Sequence, residues 1–78
     1  MQKELKTLRK QIDKIDKKLH KQLLKREKVV TKIGEIKKQR KLPIHNPQRE
    51  KEVLSKIENK YVKKIFKEII EISRRVQG

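Results

Sequence analysis

The sequence contains no cysteine and no tryptophan, and only one phenylalanine, one tyrosine, two glycines and two prolines among its 78 residues. Without cysteine there is no disulfide framework, no thiolate nucleophile and no metal site built on sulfur. No run is long and apolar enough for a signal peptide or a membrane span, so we expect a cytoplasmic protein with no membrane partner. The scarcity of aromatic residues also disfavours a protein that stacks on single-stranded nucleic acid.

Acidic residues are scarce beside basic ones: ten Asp and Glu face 25 Lys and Arg, which gives a formal net charge of +15. Such a chain attracts nucleic acid or a small polyanion, although lysine-rich helices are often merely solvated. The length allows one domain, which we predict to occupy residues 1–78. With 32% hydrophobic residues, a monomer would have a marginal core, so we expect a second copy as partner.

Apolar residues in the first forty positions recur at alternating spacings of three and four, which is typical of the a and d positions of a long amphipathic helix. They are Leu5, Leu8, Ile12, Ile15, Leu19, Val29, Ile33 and Ile36. We predict helix 1 over about residues 2–40, with a length of about 57 Å. A helix that long cannot fold back on itself in so small a chain, and needs a partner along its whole length.

Arg26 occupies the a position that follows Leu19. Burial of a guanidinium on the apolar face of a helix is costly unless an anion binds to it. Lys37 lies three turns further on, and its direction around the helix axis is within about 20° of that of Arg26. The two cations can therefore bind one ligand between them. Gly34, one turn before Lys37, leaves either room for a ligand or a close helix contact. Arg9 lies about 26 Å from Arg26 along the helix, so both can reach one small molecule only in an antiparallel two-fold dimer.

Two shorter helices complete an all-α fold of one long and two short helices. Pro43 ends helix 1, residues 41–46 form a loop, and Asn46-Pro47 is a good N-cap and first position for helix 2, predicted over about 47–58. Helix 3 is predicted over about 61–77. Polar candidates on these helices are Arg49 and Glu50 in the first turn of helix 2, and Ser73 and Gln77 one turn apart on helix 3.

Arginine is used sparingly, at only six of the 25 basic positions, and its planar fork suits carboxylates better than lysine does. The ordered set of candidates resembles the all-helical class of chorismate mutases. The matching pieces are Leu8-Arg9-x-x-Ile12-Asp13-x-Ile15-Asp16, Leu23-Leu24-x-Arg26, Ile33-Gly34-x-x-Lys37, Pro43-Ile44-x-Asn46-Pro47-x-Arg49-Glu50 and Ile69-Ile70-Glu71-x-Ser73-x-x-x-Gln77. Each piece is weak alone, but the ordered set covers nearly the whole chain and is specific.

The resemblance implies an intertwined homodimeric bundle that isomerises chorismate to prephenate, in the biosynthesis of phenylalanine and tyrosine, without a cofactor or metal. It implies that Arg26, with Arg9 from the partner subunit, binds the two carboxylates of chorismate. Lys37 and Gln77 would donate to the ether oxygen, and with Arg26 they would be the catalytic residues. Glu50 would bind the ring hydroxyl beside Asn46, while Arg49 and Ser73 would complete the polar contacts.

Two departures from the family pattern stand out. The family often has aspartate where this chain has Asn46, which serves equally well if the position acts as a helix cap. The segment from Glu50 to Ser73 is also several residues shorter than is usual in the family. Helices 2 and 3 must therefore be short or tightly joined if Ser73 and Gln77 are to reach the site.

Other functions remain open at this stage. An isochorismate pyruvate lyase uses a similar helical scaffold and a similar anion. A basic helical nucleic-acid binder would need its cations along a solvated face and would not need Arg26 and Lys37 in the apolar stripe. A purely structural coiled coil does not require an arginine at an a position, although a polar residue there can set the register. We therefore expect chorismate as ligand and no nucleic-acid partner.

Overall fold

The computed structural model describes residues 2–78, which form three helices and no strand: α1 (Gln2–Gln39), α2 (Pro47–Ser55) and α3 (Lys60–Gln77). The prediction of an all-α chain with one long and two shorter helices is confirmed. The described residues span 57 × 24 × 15 Å, so the molecule is about as long as α1 itself. None of the three helices is long and apolar enough to cross a membrane.

The end of α1 is fixed by a backbone turn that contains no glycine. Lys41 has a positive φ of 55°, and the amide of Leu42 donates to the carbonyl of Lys37 at 2.8 Å. This is the hydrogen-bond pattern with which helices commonly end, although glycine is the usual residue at the left-handed position. Pro43 follows directly and prevents the helix from continuing.

α2 begins as predicted and ends earlier than predicted. The side chain of Asn46 accepts a hydrogen bond from the amide of Arg49 at 3.1 Å, and Pro47 is the first helical residue. The helix ends at Ser55 rather than near residue 58, because Asn59 caps α3 by accepting from the amide of Val62 at 3.0 Å. Residues 56–59 therefore form a tight connection, which accounts for the short segment between Glu50 and Ser73.

α3 packs along the last third of α1. Ser73 meets Arg26 and Gln77 meets Lys37, so the contacts advance in the same direction along both helices. Glu50 at the start of α2 contacts Arg74 near the end of α3, so these two helices run antiparallel. Among the described residues, the buried hydrophobic core consists of Val30 and Ile70.

The apolar residues in the first two thirds of α1 remain largely exposed within this chain. Every residue from 2 to 25 is exposed, and the apolar side chains of the stripe remain about half accessible, from 49% at Leu19 to 62% at Ile15. A groove of about 240 Å³ continues this apolar surface between α1 and α3. It is lined mainly by Leu23, Val30, Ile69, Ile72 and Val76.

Candidate active site

A polar cleft of about 270 Å³ opens where the end of α1, the start of α2 and the end of α3 meet. Seven of the eight residues predicted to form the site line it together: Arg26, Lys37, Asn46, Arg49, Glu50, Ser73 and Gln77. Val30, Ile33, Ile44, Val53 and Ile70 supply the apolar part of the lining. The cleft is slightly smaller than typical ligand pockets, which range from roughly 300 to 1,000 Å³.

Lys37 and Gln77 form a hydrogen-bonded pair in the cleft. The Lys37 ammonium donates to Oε1 of Gln77 at 2.7 Å and to the carbonyl of Ile44 at 2.9 Å. An ammonium group can only donate, so the contact fixes the Gln77 amide with its oxygen toward Lys37. The amide nitrogen of Gln77 has no protein acceptor among residues 2–78, and remains able to donate to a ligand.

Gly34 brings the backbone of α3 close to the backbone of α1. A Cβ atom on residue 34 would lie 3.0 Å from Cα and 3.1 Å from the carbonyl oxygen of Gln77. The missing side chain therefore serves close helix packing, which decides between the two roles that the sequence left open. This packing holds the last turn of α3 beside Lys37, so that both Ser73 and Gln77 reach the cleft.

Ser73 connects the guanidinium of Arg26 to α3. Its hydroxyl accepts a hydrogen bond from Nη1 of Arg26 and donates to the carbonyl of Ile69 at 2.6 Å. The hydroxyl is thus engaged on both sides by protein groups, and its evident effect is to orient Arg26. Arg26 is half-buried, as expected for a cation that replaces a leucine in an apolar stripe.

Glu50 lies in the first turn of α2, where the helix dipole favours an anion. Its Oε2 atom is 3.2 Å from Nε of Arg74 and 3.5 Å from Nε2 of His45. The sequence pattern singled out neither Arg74 nor His45 as a site residue. A usable signal for Arg74 was present, since Arg74 and Arg75 stand together in a chain that otherwise prefers lysine.

Asn46 and Arg49 occupy the rim of the cleft. The Asn46 side chain is engaged as the cap of α2, so replacement of the family's aspartate by asparagine leaves the capping function intact. Nη1 of Arg49 lies 3.4 Å from Oε2 of Glu52, and its side chain is 62% exposed. Such an exposed pair is weak, and leaves the guanidinium free to turn toward an anion.

Arg9 is the one predicted site residue that the chain does not bring to the cleft. It lies on the exposed part of α1, 17 residues before Arg26, beside Leu5 and Asp13 on its own helix. At about 1.5 Å per residue this separation is about 26 Å. No movement of a straight helix can bring Arg9 to the cleft of its own chain.

The arrangement is suited to binding and orienting a small anion. Four cationic side chains, two side-chain amides and the Glu50 carboxylate line a partly apolar cleft. Residues 2–78 contain no group of three or more His, Asp or Glu side chains placed to share a metal ion. The cleft holds donors for developing negative charge but no serine–histidine pair. Its geometry therefore fits a reaction driven by conformational restriction and electrostatic stabilisation.

Comparison with known proteins agrees with this class of site. The sequence matches the family described as chorismate mutase type II over residues 8–78, and the chain belongs to that family. A curated relative, the bifunctional chorismate mutase/prephenate dehydratase of Aquifex aeolicus, is 52% identical over 54 residues. The match covers 69% of this chain but only 15% of that relative's length. No solved structure gives a significant match.

Proposed function

We propose that this protein converts chorismate to prephenate by an intramolecular [3,3] rearrangement. The observation that carries the proposal is the pairing of Lys37 with Gln77 beside Arg26, in a chain that belongs to the chorismate mutase type II family. The family membership favours neither the lyase nor the nucleic-acid alternative.

The reaction breaks an ether C–O bond while a C–C bond forms, and both changes occur within the one molecule. Chorismate must first be held in a compact conformer that brings the reacting carbons together, which is an entropic and orientational task. Arg26 would hold one carboxylate, and its hydrogen bond to Ser73 supports this role because it orients the guanidinium. Glu50 would accept a hydrogen bond from the ring hydroxyl, and its position in the cleft lining with Asn46 supports this role.

Negative charge grows on the ether oxygen as the C–O bond breaks. The Lys37 ammonium and the free amide nitrogen of Gln77 are the donors that can meet it. Because these donors are already fixed by Gly34 and by their mutual hydrogen bond, little reorganisation is needed when the charge appears. Only an interaction that is stronger in the transition state than in the bound substrate raises the rate, and donors to an oxygen that gains charge as the bond breaks would act in this way.

The proposed enzyme is an intertwined homodimer. The exposed apolar stripe of α1 and the adjoining groove at Leu23, Ile69 and Ile72 give a second copy a continuous surface to cover. An antiparallel arrangement of two α1 helices would bring Arg9 of each chain to the Arg26 cleft of the other. Arg9 of the other chain would then supply the cation for the second carboxylate of chorismate.

The direct test is the loss of the ultraviolet absorbance of chorismate on addition of purified protein, without any added cofactor, with prephenate identified as the product. Arg26→Ala and Arg9→Ala should each abolish most of the activity, and full activity in either variant would remove the role assigned to that residue. Incubation with isochorismate gives the complementary test, because release of pyruvate would favour the lyase.

Mixing the two inactive variants tests whether the site is shared. In a heterodimer of Arg9→Ala with Arg26→Ala, one site carries both substitutions and the other carries neither. Activity should therefore return in the mixture, up to about half of that of the wild type per heterodimer. Verified heterodimers that stay inactive would argue against a shared site.

A further inference from the structure

Arg74 is a cleft residue that the proposed mechanism does not use. Building on the proposed function, we infer that Arg74 is a positioning residue for Glu50, which it holds in place and whose charge it balances. It thereby leaves one carboxylate oxygen free for the ring hydroxyl of the substrate.

The contact between Arg74 and Glu50 is shielded from solvent at its centre. Nε of Arg74 is buried and makes no hydrogen bond of good geometry within residues 2–78, while Oε2 of Glu50 lies 3.2 Å away. The Glu50 side chain is 22% exposed. A buried guanidinium nitrogen without a hydrogen bond is costly, so the nearby carboxylate is what makes this position tolerable.

The two side chains that face Glu50 approach the same carboxylate oxygen. Arg74 and His45 both pair with Oε2 of Glu50, while Oε1 accepts no hydrogen bond from the described residues. A carboxylate that is held through one oxygen can accept a ligand hydroxyl through the other. A carboxylate with one engaged and one available oxygen is therefore suited to binding a hydroxyl group.

Charge balance gives Arg74 a second effect on the same residue. An isolated Glu50 carboxylate in the cleft would repel a substrate that carries two carboxylates. Arg74, on the antiparallel helix, compensates that charge without occupying the positions of Arg26 and Lys37. Removing Arg74 should therefore weaken substrate binding through Glu50.

The experiment is a double-mutant cycle of Arg74→Met and Glu50→Gln, with Arg75→Met as matched control. Arg75 is the neighbouring arginine, is 75% exposed and pairs with Glu71 on its own helix, at 3.2 Å. We expect Arg74→Met to raise KM for chorismate by about tenfold, in line with the loss of a hydrogen bond or ion pair to a charged group, and to change kcat much less. In the Glu50→Gln background the same substitution should have little further effect.

Three outcomes would overturn the assignment. A KM penalty that persists undiminished in Glu50→Gln would mean that Arg74 contacts the substrate itself. A lowered thermal midpoint with unchanged KM in the folded enzyme would mean a merely structural ion pair. Behaviour equal to that of Arg75→Met would mean no role in the site.

Assays of the wild-type protein distinguish failure of the proposed function from failure of the assignment of Arg74. If wild-type protein binds chorismate in calorimetry without converting it, the proposed activity is wrong, and the cycle is then measured on the dissociation constant with the same expectations. If wild-type protein neither binds nor converts chorismate, both the function and the assignment are overturned. If the wild type is active and only the cycle fails, the assignment alone is lost.

Discussion

Gly34 on α1 lies directly against the backbone of Gln77 on α3, with only 3.0 Å between an added Cβ and Cα of Gln77. The two backbones thus come close together beside Lys37 and Gln77, the donor pair of the cleft. The absence of a side chain at one position sets the location of a functional side chain on another helix.

Gly34→Ala should lower kcat by about a hundredfold, because its methyl group must push the last turn of α3 away from Lys37, and a displacement of about 1 Å can have such an effect. Alanine is a better helix former than glycine, so α1 itself should not be weakened. Steady-state kinetics measures the change in kcat, and circular dichroism measures the helix content. Gly78→Ala is the control, because its Cβ would meet the flexible end of Ile44 at 3.1 Å and would lie at an ordinary contact distance of 3.8 Å from the carbonyl oxygen of Arg74. Equal kcat in the two variants would refute this role of Gly34.

Lys37→Met should lower kcat by about 10²- to 10³-fold, as expected for removal of a preorganised donor to a developing oxyanion. The loss should fall mainly on kcat rather than KM, because the ether oxygen gains its charge only in the transition state. Lys38→Met, which removes an exposed lysine from the same helix end, serves as the control. If both variants lose the same activity, a general charge effect is the better explanation.

Ile12→Glu should dissociate the proposed dimer, because Ile12 is in the exposed apolar stripe of α1 and a charge there would lie between the two copies. Sedimentation equilibrium and activity at matched concentrations should show a monomeric, inactive protein. Lys10→Glu changes the charge by more but lies about 200° away around the helix, and should leave the dimer intact. A dimeric Ile12→Glu protein would exclude this face as the interface.

Lys41→Gly should stabilise the protein by up to about 1 kcal/mol, because Lys41 adopts a positive φ of 55° that costs a residue with a Cβ about this much. For a chain of this size the thermal midpoint would rise by several degrees, about 4–8 °C per kcal/mol. Lys38→Gly, inside α1, should instead lower the midpoint. Two shifts of the same sign would contradict the backbone explanation.

The broad architecture follows from local signals in the sequence. The heptad spacing of α1, Pro43 after its end, and Asn46-Pro47 at the start of α2 each act within a few residues, and the structure has all of these features. The prediction that α2 continues to about residue 58 is wrong, because it leaves out the role of Asn59 as the cap of α3. An asparagine side chain can mark a helix start as clearly as a glycine or proline marks an end.

The site was predictable only in part, for a physical reason. Lys37 and Arg26 share a face of one helix, so helical periodicity alone places them together. The contacts of Glu50 with Arg74 and His45 depend on how α2 and α3 pack, and no local spacing encodes that arrangement. The role of Gly34 was undecided for the same reason, because a glycine next to a cavity and one next to a neighbouring backbone look identical in sequence.

The long unsupported stretch of α1 has a consequence for how the protein behaves on dilution. Residues 2–25 are all exposed within their own chain, so in the proposed dimer the order of this segment is obtained from the partner. Folding, assembly and completion of the two active sites then become one concentration-dependent equilibrium. Specific activity should accordingly decline as the enzyme is diluted, and the thermal midpoint should rise with protein concentration.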